Sequence, residues 1–422
     1  MNPDIRELSD EKDLTRALEV FYTSMVGLTV PSGEPGVLEF VEAGRPLGVF
    51  LPAADGEPEL IGTAGSFSSR LIVPGGASVP MAAVTDVGVL PTHTRRGLAS
   101  ALLRRQLEQA ANRGEIVATL RASEATIYER FGYGIASLTA TVQFDVTRVR
   151  LRPTVLADPA GLATPAGLDD AGTPAVRFVD AAASWDLMAR LYSAQIGGPG
   201  TIERPPLWWR ANEWSAGQSK DPRYVVVHGA LGAEDGYLRY HPTSTGPWFR
   251  ASDRTVVVDD LVAHTPSAFL GLLRFLLSID LLERIEFSKL PVDHSLEKLV
   301  LDERAVRTVD IGDETWLRLV DVLAALSART YAGTGAVTIA VTDDVRPVNT
   351  GGYRVGAAGV ERTQAEPDLS VDVAALATVY LGGTRWWQLA QAGRVVEHTP
   401  GALDRADVLF ATARMPFSGT MF

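Results

Sequence analysis

Apolar positions in the first 150 residues alternate between two periods. Leu14 to Met25 repeats at helical spacing, whereas Pro46–Leu51, Glu59–Val73 and Ala82–Leu90 read as strands broken by Gly and Pro. Ala99, Leu103, Leu107 and Ala110 fall on one face, which predicts a helix over Arg96–Asn112. A short apolar strand at Ile116–Leu120, a short helix near Glu124–Arg130 and an alternating strand through Thr139–Val146 complete an α/β unit. The stretch Leu151–Pro174 is rich in Pro, Gly, Ala and Asp and reads as a connection on the surface.

A second α/β unit follows and repeats part of the first. The run Val84–Val89, then a loop and an apolar helix, is echoed by Val258–Ala263, then Thr265-Pro266 and a helix to Leu277. Thr265 is placed to cap that helix and Pro266 to occupy its first turn. The second copy has neither the glycine nor the arginines of the first, so it reads as a duplicate that has lost a ligand loop. The remainder, from about Ala305, predicts a helix at Glu314–Ser327 and strands at Gly335–Thr342 and Gly352–Val360. Helix and strand then alternate around Val371–Tyr380 and Trp386–Ala390, giving a small α+β unit. The expected division is 1–150, 151–304 and 305–422.

Composition narrows the chemistry. With no Cys among 422 residues there are no disulfides, thiolate metal sites or Cys nucleophile. The six His residues lack close metal-ligand spacing and no G-x-S-x-G motif is present, so no metal is expected. A formal charge of −12 argues against nonspecific nucleic-acid binding and favours cationic substrates. The opening residues have no basic patch followed by an apolar run. The longest apolar stretch, Ala268–Leu277, contains Arg274 and is too short to span a bilayer. A cytoplasmic protein is expected. The pairs Trp208-Trp209 and Trp386-Trp387 read as core or subunit contacts.

The most informative stretch is Val84–Ala99, VTDVGVLPTHTRRGLA, where a strand runs through a turn into basic residues and a glycine that opens a helix. A helix start leaves N–H groups unpaired and carries partial positive charge, a natural seat for a diphosphate. Arg95 and Arg96 add donors, and Gly97 lets the backbone approach.

This segment resembles the cofactor loop of the Gcn5-related N-acetyltransferase (GNAT) superfamily, Arg/Gln-x-x-Gly-x-Gly/Ala, which binds the diphosphate of acetyl-CoA. Arg96-Gly97-Leu98-Ala99 matches its second half, while Thr94 stands where Arg or Gln is usual. Ile127-Tyr128-Glu129-Arg130-Phe131-Gly132-Tyr133-Gly134 looks like the I-Y-x-x-F-G-Y-G signature that follows the loop in many such enzymes. With the second acetyltransferase-like unit, the third α+β unit and the ending Pro416–Phe422, the chain is similar over its whole length to the Eis (enhanced intracellular survival) family of bacterial acetyltransferases.

The resemblance implies tandem GNAT folds, an α/β class with mixed sheets, followed by a sterol-carrier-protein-like α+β domain whose C-terminus reaches the active site. It implies acetyl-CoA as co-substrate and aminoglycosides or other polycationic amines as acceptors, with lysine side chains as an alternative and a homohexamer as the assembly. Tyr128 becomes the general acid and the C-terminal carboxylate of Phe422 the base. Val87, Gly88 and Val89 hold the acetyl and pantetheine part, Arg95, Arg96, Gly97, Leu98, Ala99 and Ser100 the diphosphate, and Ser123 and Glu124 line the channel. Read from the residues alone, Tyr128 is first an aromatic that packs beside Phe131 and Tyr133, and Ser123 and Glu124 could equally cap a helix. Met415, Pro416, Phe417, Met421 and Phe422 are unusually apolar for a free tail, so the end of the chain is expected to be buried. Glu34, Glu39 and Glu42 are candidates for an acidic amine pocket. A carrier protein with a vestigial acetyltransferase fold and a longer acyl donor are the competing readings.

Overall fold

In the computed structural model the residues described are 4–26, 36–52, 56, 58–156, 176–195, 197–219, 221–243, 248, 251 and 253–422. They fall into two compact units, Met1–Leu138 with Gly197–Ala211 and Asp313–Phe422, and Thr139–Ile196 with Asn212–Gly312.

The first unit opens with β1 (Asp4–Glu7), α1 (Glu11–Ser24), β2 (Leu47–Leu51), β3 (Glu59–Ile72), β4 (Ser78–Val89), α2 (Leu98–Asn112), β5 (Val117–Leu120), α3 (Ala125–Tyr128) and the start of β6 (Tyr133–Asp145). Apart from β1, this is the order the periodicity predicts. Asp10 starts α1 by accepting from the Asp13 N–H. Strands β1 to β4 pair antiparallel in sequence, and β5 joins β4 in parallel. Leu102, Leu103 and Leu107 of α2 are buried, as the helical spacing requires.

In the second unit a four-residue helix, α4 (Pro153–Leu156), opens the expected connection; the rest of that connection, 157–174, lies outside the described residues. Next come β7 (Val176–Val179), α5 (Trp185–Ala194), α6 (Pro206–Gln218), which starts in the first unit, β8 (Tyr224–His228), β9 (Gly236–Pro242), β10 (Thr255–Ala263), α7 (Pro266–Leu277) and β11 (Arg284–Pro291). Strand β10 runs antiparallel to β9, with a register shift between Val258 and Asp260, and parallel to β11. That repeats β4, which is antiparallel to β3 with a register shift and parallel to β5. The duplicate seen in the sequence is therefore structural. Thr265 accepts from the Ala268 N–H and Pro266 occupies the first turn of α7.

The chain then forms β12 (Val306–Leu319), α8 (Val322–Ala328), β13 (Ala336–Thr342), β14 (Gly351–Gly356), β15 (Gly359–Thr363), β16 (Leu369–Asp372), α9 (Val373–Tyr380), α10 (Trp386–Gln391), β17 (Val395–Glu397) and α11 (Ala402–Phe410). Strands 13 to 17 build a separate sheet in the order β15-β14-β13-β16-β17. The helix expected at Glu314–Ser327 begins only at Val322, capped by Asp321. Residues 314–319 instead end β12, which pairs with β5 from Trp316 opposite Leu120 to Leu319 opposite Val117, and all six are buried. A strand covered on both faces loses its period-two signature and runs into the following helix as one apolar stretch. The single strand expected at Gly352–Val360 is likewise a hairpin, β14 and β15.

The glycine-rich signature after α3 has a packing reason. A side chain at Gly134 would run into the Ala374 carbonyl and the Thr378 hydroxyl, so α9 lies directly on bare backbone there.

Candidate active site

Strand β4 parts from its neighbours where cofactor contact is expected. Its parallel pairing with β5 covers Met81 to Ala83 and then stops. On the other side Thr63 faces Gly88 and Gly65 faces Thr85, so Asp86 and Val87 together oppose the single residue Ala64. This bulge puts Asp86 at φ +52° and turns the peptide groups of Val87 out of the regular ladder. Gly88 is buried, and a side chain there would meet the Ser24 hydroxyl of α1. Val89 pairs with Gly62.

The loop to α2 has a backbone that suits an anion. Arg95 and Gly97 both have positive φ, +62° and +78°, and Gly97 is the N-cap of α2 with no side chain bonded to the helix start. Left-handed residues beside a helix N-terminus form a concave array of N–H donors. A Cβ at Gly97 would touch nothing, so the glycine serves the backbone angle rather than a close approach. Arg95 and Arg96 are exposed, Leu98 is buried, and Ala99 and Ser100 are partly buried on the first turn. The Thr94 hydroxyl donates back to the Pro91 carbonyl at 3.3 Å. The splayed strand and the uncapped helix together suit a thioester on a pantetheine arm ending in a diphosphate.

Tyr128 ends α3 and is 5% exposed. Its ring meets Tyr133 edge-on at 6.1 Å and Trp316 at 6.4 Å, so it has the packing role that the residues alone suggest. Burial pushes its phenol above the ordinary value, a hydrogen bond with Ser123 opposes this, and the Glu124 carboxylate reinforces it. Ser123 and Glu124 are exposed, and Glu124 stands at the N-cap of α3 without making a side-chain cap.

The C-terminus is held by side chains that sequence reasoning did not select. Glu314 of β12 accepts from the Ser418 N–H at 3.0 Å and the Gly419 N–H at 2.6 Å. Arg121, just past β5, donates to the Thr420 carbonyl and the Ser418 hydroxyl, and also to Thr315. Arg204 donates to the Thr420 hydroxyl and the Gly419 carbonyl, and Trp208 of α6 donates its indole N–H to the Met421 carbonyl at 2.6 Å. The Phe422 ring lies edge-on to Phe67 of β3 at 5.5 Å and under the Arg121 guanidinium. Ser418 and Thr420 are buried, Phe422 is partly buried, and Met421 is 47% exposed, so the tail is fixed rather than sunk. Thr315 and Trp316, neighbours on β12, tie this clamp to Tyr128, because Arg121 holds the first and Tyr128 packs on the second.

Acetyltransferase (GNAT) domain family models match residues 4–136 and 200–319, and a sterol carrier protein domain model matches 322–419. An uncharacterized N-acetyltransferase of Streptomyces coelicolor is 38% identical over 389 residues, 90% of each chain. N-acetyltransferase Eis of Mycobacterium tuberculosis is 33% identical over 357 residues, 84% of each. The crystal structure of Eis1 from Mycobacterium abscessus superposes with a TM-score of 0.86 at 47% identity, covering both chains completely. The chain belongs to the Eis family of GNAT N-acetyltransferases. Its two acetyltransferase folds and its sterol-carrier-like end are those of that family, and the chain is an N-acetyltransferase. Among the described residues of this Eis-family enzyme no group of His, Asp or Glu could hold a metal, and no helix is long and apolar enough to cross a membrane.

Of the acidic candidates, Glu34 lies outside the described residues and Glu39 is exposed. Glu42 lines a cleft between α1 and β3 but is bound to Arg45 at 2.8 Å and to the Ser68 N–H and hydroxyl. Trp208 and Trp209 are buried as expected, yet Trp208 also holds the tail. Glu314 tests the clamp. Glu314→Ala leaves two backbone N–H groups without their acceptor, and at about 1–3 kcal/mol for each buried unsatisfied group the tail should open more often. Amide exchange at Ser418 and Gly419 is expected to speed up by roughly tenfold or more, while exchange in α2 stays as it was. Unchanged exchange at both amides would mean that water replaces the carboxylate.

Proposed function

We propose that this enzyme transfers the acetyl group of acetyl-CoA to primary amines of polycationic small molecules, aminoglycosides among them, at more than one amine per molecule. The observation that carries the reading is the clamped C-terminus. Bonds to Ser418, Gly419, Thr420 and Met421 hold the last residue against Phe67, as a carboxylate acting as a base must be held. In this reading the Phe422 carboxylate takes the proton of the attacking amine, and Tyr128, kept protonated by burial, gives one to the departing sulfur. When bound, the thioester supplies the activated acetyl group.

Val87, Gly88 and Val89 align it through main-chain groups freed by the bulge, and one N–H there polarises the carbonyl. Arg95, Arg96, Gly97, Leu98, Ala99 and Ser100 take the diphosphate. Ser123 orients the Tyr128 hydroxyl, and Glu124 lines the same channel. A division at 1–150, 151–304 and 305–422, a cytoplasmic location and a homohexamer complete the proposal; the ranges of the family models support the division.

The test is thiol release from acetyl-CoA against aminoglycosides, polyamines and lysine peptides; with no Cys in the chain the background is low. Release confined to polycationic small molecules is the expected result. Release with lysine peptides alone would replace the acceptor class. Silence with every amine, in a protein that still binds CoA, would favour the carrier reading, and a preference for propionyl-CoA would overturn the acetyl assignment.

A further inference from the structure

The cleft beside Glu42 has a second carboxylate. Its cavity volume is about 40 Å³, enough for a group the size of an ammonium, and its walls are largely apolar, with Leu14, Leu18, Val37, Phe67 and Leu207 among them. Glu42 is neutralised by Arg45. Asp86 is not: its nearest polar partner is the Thr85 hydroxyl at 3.4 Å, beyond a good hydrogen bond, and among the described residues no cation stands within ion-pair distance. The side chain reaches this position because the bulge holds Asp86 at φ +52°, a conformation that disfavours side-chain-bearing residues and is best tolerated by Asn and Asp. An uncompensated carboxylate facing an apolar cleft calls for a cation from outside the chain. The cleft shares Phe67 with the seat of Phe422, and the next residue along β4 is Val87.

We propose that Asp86 is the counter-ion for a second ammonium group of the acceptor, so that the site selects diamines and polyamines over monoamines. The proposal rests on the amine-acetylation reading: the attacking nitrogen is the uncharged one near Val87 and Phe422, and the nitrogen held by Asp86 stays protonated. Burial pushes the Asp86 carboxyl up to about 6, so near neutral pH it is largely ionised. Of the titratable groups near it, Glu42 and Tyr22 keep their charge state in that range. Glu42 is held below the usual carboxylate range by its bonds to Ser68 and Arg45, Tyr22 of α1 is pushed above its ordinary value by burial and by Asp86 itself, and Arg16 and Glu19 of α1 pair with each other at 2.8 Å. The segment of β3 that lines the cleft, Thr63 to Phe67, carries no titratable group.

The experiment is calorimetric titration of the full chain with 1,4-diaminobutane and with butylamine, read without any acetyl transfer. The wild type is expected to bind the diamine roughly 10- to 100-fold more tightly than the monoamine, and Asp86→Asn, which keeps the left-handed backbone, to abolish that ratio while butylamine affinity changes little. A second arm needs no variant. The preference of the native protein should hold above pH 6 and fade as pH drops through that value, because Asp86 must be ionised to pair while the diamine stays charged. A ratio unaltered by Asp86→Asn, or equal losses for both amines, would overturn the proposal. Thiol release with no diamine preference would fail this site and keep the enzyme reading; an Asp86-dependent preference without thiol release would do the reverse.

Discussion

A single glycine appended after Phe422 is expected to lower kcat by roughly 100- to 1,000-fold, the range that general-base catalysis contributes. Affinity for acetyl-CoA should stay within about twofold, because the residues proposed to take the diphosphate are others. The physical reason lies in where the tail is gripped. Glu314 holds the N–H groups of Ser418 and Gly419, Arg121 the Thr420 carbonyl, Arg204 the Thr420 hydroxyl and Trp208 the Met421 carbonyl. None of these anchors involves the last carboxylate, so an added residue leaves them all satisfied. It converts the Phe422 carboxylate into an amide, which accepts no proton at neutral pH, and moves the new carboxylate about 3.8 Å along the chain. Turnover by thiol release and CoA affinity by calorimetry read the two quantities separately. Turnover equal to that of the native chain would remove Phe422 from the mechanism; loss of CoA affinity in parallel would mean that the tail supports the cofactor site instead.

Local physics made much of this arrangement legible in the sequence. The echo of Val84–Val89 in Val258–Ala263 is two strands with the same pattern of antiparallel and parallel neighbours and a register shift in each, and the Thr265 cap and Pro266 are where a helix start requires them. The chain at Glu314 was not legible as a strand, since burial on both faces erases the alternation that identifies one. What holds the C-terminus was illegible for a different reason. Arg121 and Thr420 are 299 positions apart, and neither carries a local signal that it needs the other. Arg121 does stand out as a charge directly after an apolar strand, and it is the one clamp residue that spacing could have flagged. Asp86 sits inside the very run quoted for its apolar character, but its orientation depends on a register mismatch with β3, and no periodicity in β4 alone contains that.

Tyr128→Phe should lower kcat by roughly 100-fold or more, with stability changed by no more than about 1 kcal/mol. The stability side follows from packing: the ring stays edge-on to Tyr133 and against Trp316, and only the hydroxyl and its bond to Ser123 are lost. The rate side follows from the leaving group, since a thiolate departing from a thioester is stabilised by a proton delivered at the sulfur. Burial fixes the sign of the pH dependence. The acid must be protonated to act, and with its phenol held above the ordinary 10, that condition persists across the neutral range and is lost only as pH rises through the elevated value. Acid loss should therefore produce no falling limb in the native profile below about pH 10. Tyr133→Phe is the matched control, because the Tyr133 hydroxyl is buried with no hydrogen-bond partner among the described residues, and removing it should leave turnover nearly native and stability equal or slightly higher. Near-native turnover in Tyr128→Phe would hand the proton to water or another group; a collapse in both variants would mean that the aromatic pair, rather than one phenol, is what the reaction needs.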